Sequence, residues 1–305
     1  MARYVRIDEF GGPEVLSIVR DEQPQAGRGE VRVRVHSAGL NPIDYKIFHG
    51  GPAAVRNEAV PPCGNGNDFS GVIDELGDGV TGFQLGDAVF GGKRMHAQAD
   101  YVVVDATRII GKPAALTFEQ AGGLDIAGRA AWASVASLGL TAADTVLVGA
   151  AAGGVGMLAC QLALRTGATV VGTASAVNHD FLRDLGVIPV AYGDGLVDRV
   201  RELTPTVTAA LDYNGAATID AALQLGVPGT RINTIAARGH RAGTGITEVG
   251  GQAATLNDLE SLATLIAHGE IVLPIDRVFP LEHVQDAYRY LMTGHARGKV
   301  LLAVR

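Results

Sequence analysis

From Thr145 onward the chain repeats one unit, a β-branched run followed by an Ala/Leu-rich amphipathic run. TVLVGAA precedes VGMLACQLALRTG, TVVGTAS precedes NHDFLRDLG, VIPVAY precedes GLVDRVREL, and TAALDY precedes ATIDAALQLG; TRINTIA closes the series. Such alternation builds a parallel sheet, because parallel strands need a crossover between them and a helix supplies it. Gly167, Gly186 and Gly226 end the helical runs, where a residue without a Cβ takes the left-handed conformation of a C-terminal cap. Thr255 to His268 is a further expected helix. VFPLEHVQDAYRYLM and the strand KVLLAVR follow, and no longer repeat accompanies the alternation.

The first strand–helix junction reads Ala150-Ala-Ala-Gly153-Gly154-Val155-Gly156. Between a strand and a helix, this pattern is expected to cradle a dinucleotide. The small residue at 150 permits the tight turn, Gly153 lets backbone approach a pyrophosphate, and Gly156 lets the helix pack on the strand. Unpaired N–H groups at the helix N-terminus, Gly154 and Val155 among them, face the phosphates. No GK[ST] follows, so this is not a nucleoside-triphosphate loop. Thr145–Leu164 is twenty residues without a charge, the length of a membrane span. The glycine cluster in its middle reads instead as strand, turn and helix.

The end of the next strand decides between the two nicotinamide cofactors. An acid there would bond a ribose hydroxyl and repel a 2′-phosphate. This chain has Gly172-Thr-Ala-Ser175, then Asn178 and His179, with no acid until Asp180. Ser175, His179 and Tyr192 are the candidates to meet a 2′-phosphate, which favours NADPH. The competing readings are that Ser175 caps the next helix and that His179 is its solvated first turn.

Before the βα series lies a region of short β signals cut by Gly, Pro and Asp. VRVRVHSA (Val31–Ala38) alternates with period two, as a half-buried strand does, and GVIDELG, DAVFGG and ADYVVVD follow closely. A small barrel is expected. LTFEQAGGLDIAGRAAWASVASLG is helical. The 305 residues include 41 glycines and carry a formal charge of −7. That charge, with no basic run, argues against a nucleic-acid surface. Two cysteines, Cys63 and Cys160, make no disulfide framework and suit a reducing, cytoplasmic compartment. MARYVRIDEF has charges where an export signal needs an apolar stretch, and no membrane association is expected.

Taken together, GLNPIDYKIFHGG (Gly39–Gly51), GNDFSGVIDELGDGVTGFQLGDAVFG (Gly66–Gly91), VLVGAAAGGVGMLACQLA, RVFPLEHVQDAY and GHARGKVLLAV carry a resemblance across the whole chain. The sequence resembles a zinc-free medium-chain dehydrogenase/reductase of the quinone oxidoreductase type, akin to zeta-crystallin and the enone reductases. The resemblance implies an α/β protein of two domains. Residues 1–118 and 270–305 would form a GroES-like β-barrel domain on the substrate side, and 119–269 a Rossmann, doubly wound NADP-binding domain. It also implies a homodimer, commonly through the Rossmann edge strand, here near Arg231–Ala236.

Zinc members of that superfamily hold a catalytic metal with Cys, His and Cys or Asp. Their first Cys corresponds to Asn41 here, their His to Asn67 and the following Glu to Asp68; the four-cysteine structural lobe is absent. Carboxamides are poor zinc ligands, so no metal is expected. The implied reaction is hydride transfer from NADPH to a small quinone or to the C=C bond of an α,β-unsaturated carbonyl. Asn41 is the leading candidate to steady developing negative charge on oxygen, Tyr45 and Lys46 are nearby donors, and Asp44 is expected to orient the loop. Two departures stand out. Lys46 stands where quinone oxidoreductases generally have Tyr, which leans toward C=C reduction. Asp125-Ile-Ala-Gly-Arg129-Ala130 replaces the usual Pro and Thr beside the nicotinamide, and Arg129 is a candidate for cofactor phosphates or an anionic substrate. His36, His49, His96 and His240 have no metal or triad spacing. Two alternatives remain open: an NADPH-binding crystallin-like or redox-sensing protein with little turnover, and a zinc alcohol dehydrogenase.

Overall fold

The computed structural model describes all 305 residues. They form two compact units: Met1–Ile126 with Glu260–Glu270 and Pro274–Arg305, and Ala127–Leu259 with Ile271–Leu273.

The first unit begins with β1 (Ala2–Ile7), β2 (Leu16–Asp21) and β3 (Glu30–Gly39). In β3 the period-two expectation holds: Val31, Val33 and Val35 are fully buried, while Arg32 and Arg34 point outward. Then come α1 (Pro42–Phe48), α2 (Gly51–Arg56), β4 (Cys63–Gly64), β5 (Asp68–Leu76), β6 (Ala88–Gly92), β7 (Tyr101–Asp105) and β8 (Ile109–Gly111). α1 starts at a proline, whose missing N–H is no loss in a first helical turn, and its Ile47 and Phe48 enter the core. The expected helical run after Pro113 is broken in two, α3 (Phe118–Gly122) and α4 (Asp125–Leu138), with Gly123 as the cap of the first.

The second unit is a five-stranded parallel sheet. β9 (Thr145–Val148), α5 (Gly154–Arg165), β10 (Thr169–Thr173), α6 (His179–Asp184), β11 (Ile188–Val190), α7 (Leu196–Leu203), β12 (Ala209–Asp212), α8 (Ala216–Gln224) and β13 (Ile232–Thr234) alternate as the sequence pattern requires. The strand order is β11-β10-β9-β12-β13, every pair parallel. The chain thus reverses direction across the sheet beside β9, the switch point where such sheets bind ligands. Leu147, Val171, Ala210 and Ile232 from four strands share one core with Val200 and Ile219 from the helices. The uncharged run Thr145–Leu164 is β9, its turn and most of α5, whose residues from Gly156 to Ala163 are all buried. No helix is long and apolar enough to cross a membrane.

After α9 (Leu256–Ala267) come β14 (Ile275–Pro280), α10 (Val284–Met292) and β15 (Lys299–Ala303). β15 pairs antiparallel with the end of β3 through Leu301–Gly39, Leu302–Ala38 and Ala303–Ser37. This closes the seven-stranded sheet β14-β15-β3-β5-β6-β8, with β7 on the first half of β3. The last strand therefore stands beside the loop that carries Asn41, and Leu40 N–H donates to Val300 C=O at 3.0 Å.

The sheet edge expected near Arg231–Ala236 is not open. Thr234 N–H donates to Thr247 C=O (2.9 Å), Thr247 N–H donates to Ile232 C=O (3.0 Å), and the Asn233 side chain bonds Val249 at both ends. Residues 247–249 cover β13, which is the protection an apolar edge needs.

Candidate active site

In the second unit, the candidate feature is the turn from β9 into α5. Ala150 takes φ +51°, the left-handed conformation a tight turn demands. The turn is stitched to the neighbouring strand: Ala150 N–H donates to Thr173 Oγ1 (3.1 Å) and Ala151 N–H to Thr173 C=O (2.9 Å). Gly156 has no room for a side chain, since a Cβ there would lie 2.1 Å from Ala150 C=O; helix and turn touch backbone to backbone. Gly153 is different. A Cβ there would meet only Ala150 C=O, at 3.3 Å, so its missing side chain leaves open space. Gly153 is also the N-cap of α5 and offers no side-chain cap, and the first intrahelical bond is Met157 N–H to Gly153 C=O. The N–H groups of Gly154, Val155 and Gly156 thus keep the helix-terminal hydrogen-bonding capacity that suits an anion.

Past the ends of β10 and β11, which pair in register at Thr173–Val190, the chain presents Ser175 and Tyr192. Ser175 makes no side-chain cap; its Oγ accepts from Asn178 Nδ2 at 3.3 Å. His179 Nε2 is held against Ala174 C=O at 3.2 Å, leaving Nδ1 for another partner. Tyr192 is half exposed, and Arg199 fastens its loop by donating to the carbonyls of Ala191, Tyr192, Gly193 and Asp194. Asp180, the first acid in this stretch, has a 95 % exposed side chain paired with Arg183.

Arg129, a candidate for phosphates or an anionic substrate, donates to Gly251 C=O (3.1 Å) and Ala254 C=O (2.8 Å). Those carbonyls lie more than a hundred residues away in sequence, so no pattern announced them. Asp212, which ends β12, was not among the candidates read from the sequence. It is fully buried, accepts from the N–H groups of Asn214 and Gly215 and from Thr234 Oγ1, and so sets the loop after β12. The signal available was an acid closing an otherwise apolar strand.

In the first unit, Asn41 at the N-cap of α1 and Tyr45 and Lys46 within that helix lie in different surroundings. Lys46 is exposed, Tyr45 is half-buried with its phenol pushed up by burial, and Asn41 is 2 % exposed. Asn41 Nδ2 donates to Asp68 Oδ2 at 2.9 Å, and Oδ1 accepts from Lys299 Nζ at 2.6 Å. Asp44 orients the loop by accepting from Asn41 N–H (2.8 Å) and Asn67 Nδ2 (2.5 Å). Tyr288 on α10 donates its hydroxyl to Asp44 (3.1 Å) and accepts from Asn65 and Gln98. Asp68 Oδ1 also takes the N–H of Ile126 in the first turn of α4.

This cluster buries two carboxylates, Asp44 and Asp68, with one ammonium, Lys299. Burial disfavours every charge in it. It pushes Asp44 up to about 7, with the Asp68 charge adding to the shift and the donors from Asn41 and Asn67 opposing it. Burial likewise raises Asp68, opposed by Lys299, and lowers Lys299, opposed by Asp68 and Asp44. Lys299 and Tyr288 were not legible as site residues, because their partners are 258 and 244 positions distant.

Two family models match the chain: the alcohol dehydrogenase GroES-like domain over residues 27–114 and the zinc-binding dehydrogenase over 185–302. The second description implies zinc, and the residues present do not suit it. A carboxamide would ligate through its oxygen, and those of Asn41 and Asn67 already accept from Lys299 Nζ (2.6 Å) and Met95 N–H (3.4 Å); no group of three His, Cys, Asp or Glu side chains is arranged around a common point, and burial raises the Cys63 thiol. The human quinone oxidoreductase is 28 % identical over 99 % of this chain and 98 % of its own. The chloroplastic NADPH-dependent alkenal/one oxidoreductase of Arabidopsis thaliana is 29 % identical, covering 96 % of this chain and 77 % of its own. A solved quinone oxidoreductase from Coxiella burnetii superposes with a TM-score of 0.91 at 32 % identity, over 100 % of this chain and 99 % of that one. With a GroES-like β domain, a Rossmann sheet and likeness along its full length, the chain belongs to the medium-chain dehydrogenase/reductase family of nicotinamide-dependent oxidoreductases, in its quinone oxidoreductase branch.

Proposed function

We propose that the chain uses NADPH to reduce a small quinone or the C=C bond of an α,β-unsaturated carbonyl, without a metal. The observation that carries the reading is the β9–α5 turn: helix-terminal N–H groups beside a glycine whose absent side chain leaves space for a pyrophosphate. The names of the full-length relatives, quinone and NADPH-dependent alkenal/one oxidoreductase, support the acceptor class. When bound, the dihydronicotinamide supplies the hydride; the chain binds, orients and polarises. Ser175 and Tyr192 offer hydroxyls to a 2′-phosphate, and His179 adds a donor from Nδ1 when its ring carries both protons, with no acid there to repel the phosphate. Asn41 offers an amide hydrogen to the acceptor oxygen as negative charge develops, and Tyr45 and Lys46 are the donors from which a proton can return. With amides in place of thiolate and imidazole, the acceptor must be activated by its own conjugation.

In this reading residues 1–118 with 270–305 serve the substrate and 119–269 the NADPH. The protein is a cytoplasmic homodimer that engages neither nucleic acid nor membrane. The test is loss of NADPH absorbance against a panel of quinones, enones and enals, before and after dialysis against a chelator. Turnover on at least one acceptor, unchanged by the chelator, is expected. NADPH binding without turnover on any acceptor refutes the enzyme reading, and zinc-dependent turnover refutes the metal-free one. Sedimentation of the purified protein decides the dimer.

A further inference from the structure

An asparagine amide can take two orientations of nearly equal shape, and its neighbours choose between them. For Asn41 the choice is unambiguous. Lys299 Nζ can only donate, and it lies 2.6 Å from Oδ1; the Asp68 carboxylate accepts from Nδ2 at 2.9 Å. Turning the amide over would set NH2 against the ammonium and C=O against the carboxylate. All three residues are 3 % exposed or less, so water cannot soften either clash.

The backbone is fixed as well. Asn41 N–H donates to Asp44, and Leu40 N–H donates to Val300 in β15, one residue after Lys299. Lys299 also donates to Leu40 C=O (3.0 Å) and faces the Asp68 carboxylate as an ion pair at 3.7 Å, so its ammonium is held within the cluster. Asn41 Nδ2, by contrast, keeps one hydrogen beyond its bond to Asp68.

We propose that Lys299 is a positioning residue for hydride transfer: together with Asp68 it locks the Asn41 amide so that it meets an acceptor oxygen as a donor, never as an acceptor. The inference rests on the reading of Asn41 as the contact to substrate oxygen. It gives the last strand, which lies far from the cofactor turn in sequence, a part in the chemistry.

Removing Lys299 alone leaves Asp68 buried without its cation, which endangers the fold. Lys299→Met is therefore made both alone and with Asp68→Asn, so that both charges leave together. The double variant is expected to fold, to bind NADPH within about twofold of the parent, and to lose kcat by about tenfold or more, short of the ~10²–10³ for removing an oxyanion donor outright. A double variant with parental kcat overturns the proposal. A second readout needs no turnover. The side-chain amide protons of Asn41, assigned by NMR from their loss in Asn41→Asp, are expected to be resolved and protected from exchange in the parent, and rapidly exchanging in the double variant. A rapidly exchanging pair in the parent refutes the lock directly. If the parent reduces no acceptor, the proposed function falls on its own, and the amide protons still report on the positioning.

Discussion

Asp44 is a buried carboxylate whose ionisation the fold resists, and this has a measurable sign. Its pKa rises to about 7 in the folded chain, from the ordinary carboxylate value of 3.8, because burial and the Asp68 charge outweigh the donors from Asn41 and Asn67 and the Lys299 charge. Between those two values the folded chain holds a proton that the unfolded chain has released. Stability therefore falls as pH rises, by about 1.4 kcal/mol per unit, until Asp44 ionises in the folded chain near pH 7. Between pH 5 and pH 8 this one group removes about 3 kcal/mol, a large share of a typical domain's stability. Asp44→Asn abolishes the titration; its carbonyl can still accept from Asn41, and Asn67 can turn over to accept from the new amide. Urea unfolding of both proteins at several pH values, followed by circular dichroism, measures the effect. The stability difference between variant and parent should move in the variant's favour by about 3 kcal/mol over that range. A difference that stays flat with pH refutes the reasoning.

The two glycines of the cofactor turn should separate folding from binding. Gly156→Ala forces a Cβ onto backbone 2.1 Å away and should lower both Tm and NADPH affinity, because helix and turn must part. Gly153→Ala meets one atom at 3.3 Å; it should lower Tm much less than Gly156→Ala and weaken NADPH binding by about tenfold or more, since the space it fills is where backbone approaches a pyrophosphate. Equal NADPH fluorescence titrations for Gly153→Ala and the parent would contradict that assignment. Tyr192→Phe removes a half-exposed hydroxyl without disturbing the Arg199 bonds to its loop. It should raise KM for NADPH about three- to tenfold, the worth of about one hydrogen bond, and leave KM for NADH unchanged. A parallel change in both cofactors would remove Tyr192 from the 2′-phosphate.

The repeating strands and helices and the cofactor turn could be read along the chain. Strand and helix periods are local properties, so β9 to β13 and their helices were legible, as was the alternation of Val31, Val33 and Val35 in β3. The Gly153 and Gly156 requirements follow from one turn and one helix start, also local. The correspondence of Asn41 and Asn67 to metal-binding residues came from the family resemblance, and that a carboxamide is a poor zinc ligand is a property of the side chain alone. What the tertiary structure decided was which polar groups meet. Lys299 and Tyr288 join Asn41, Asp44 and Asp68 only because β15 pairs with β3 and α10 packs beside α1. Arg129 donates to the carbonyls at 251 and 254, and residues 247–249 cover the edge that sequence alone left open. Sequence periodicity reports burial, a property of one segment at a time. Charge balance, amide orientation and a covered edge belong to pairs of segments, and only folding brings those pairs together.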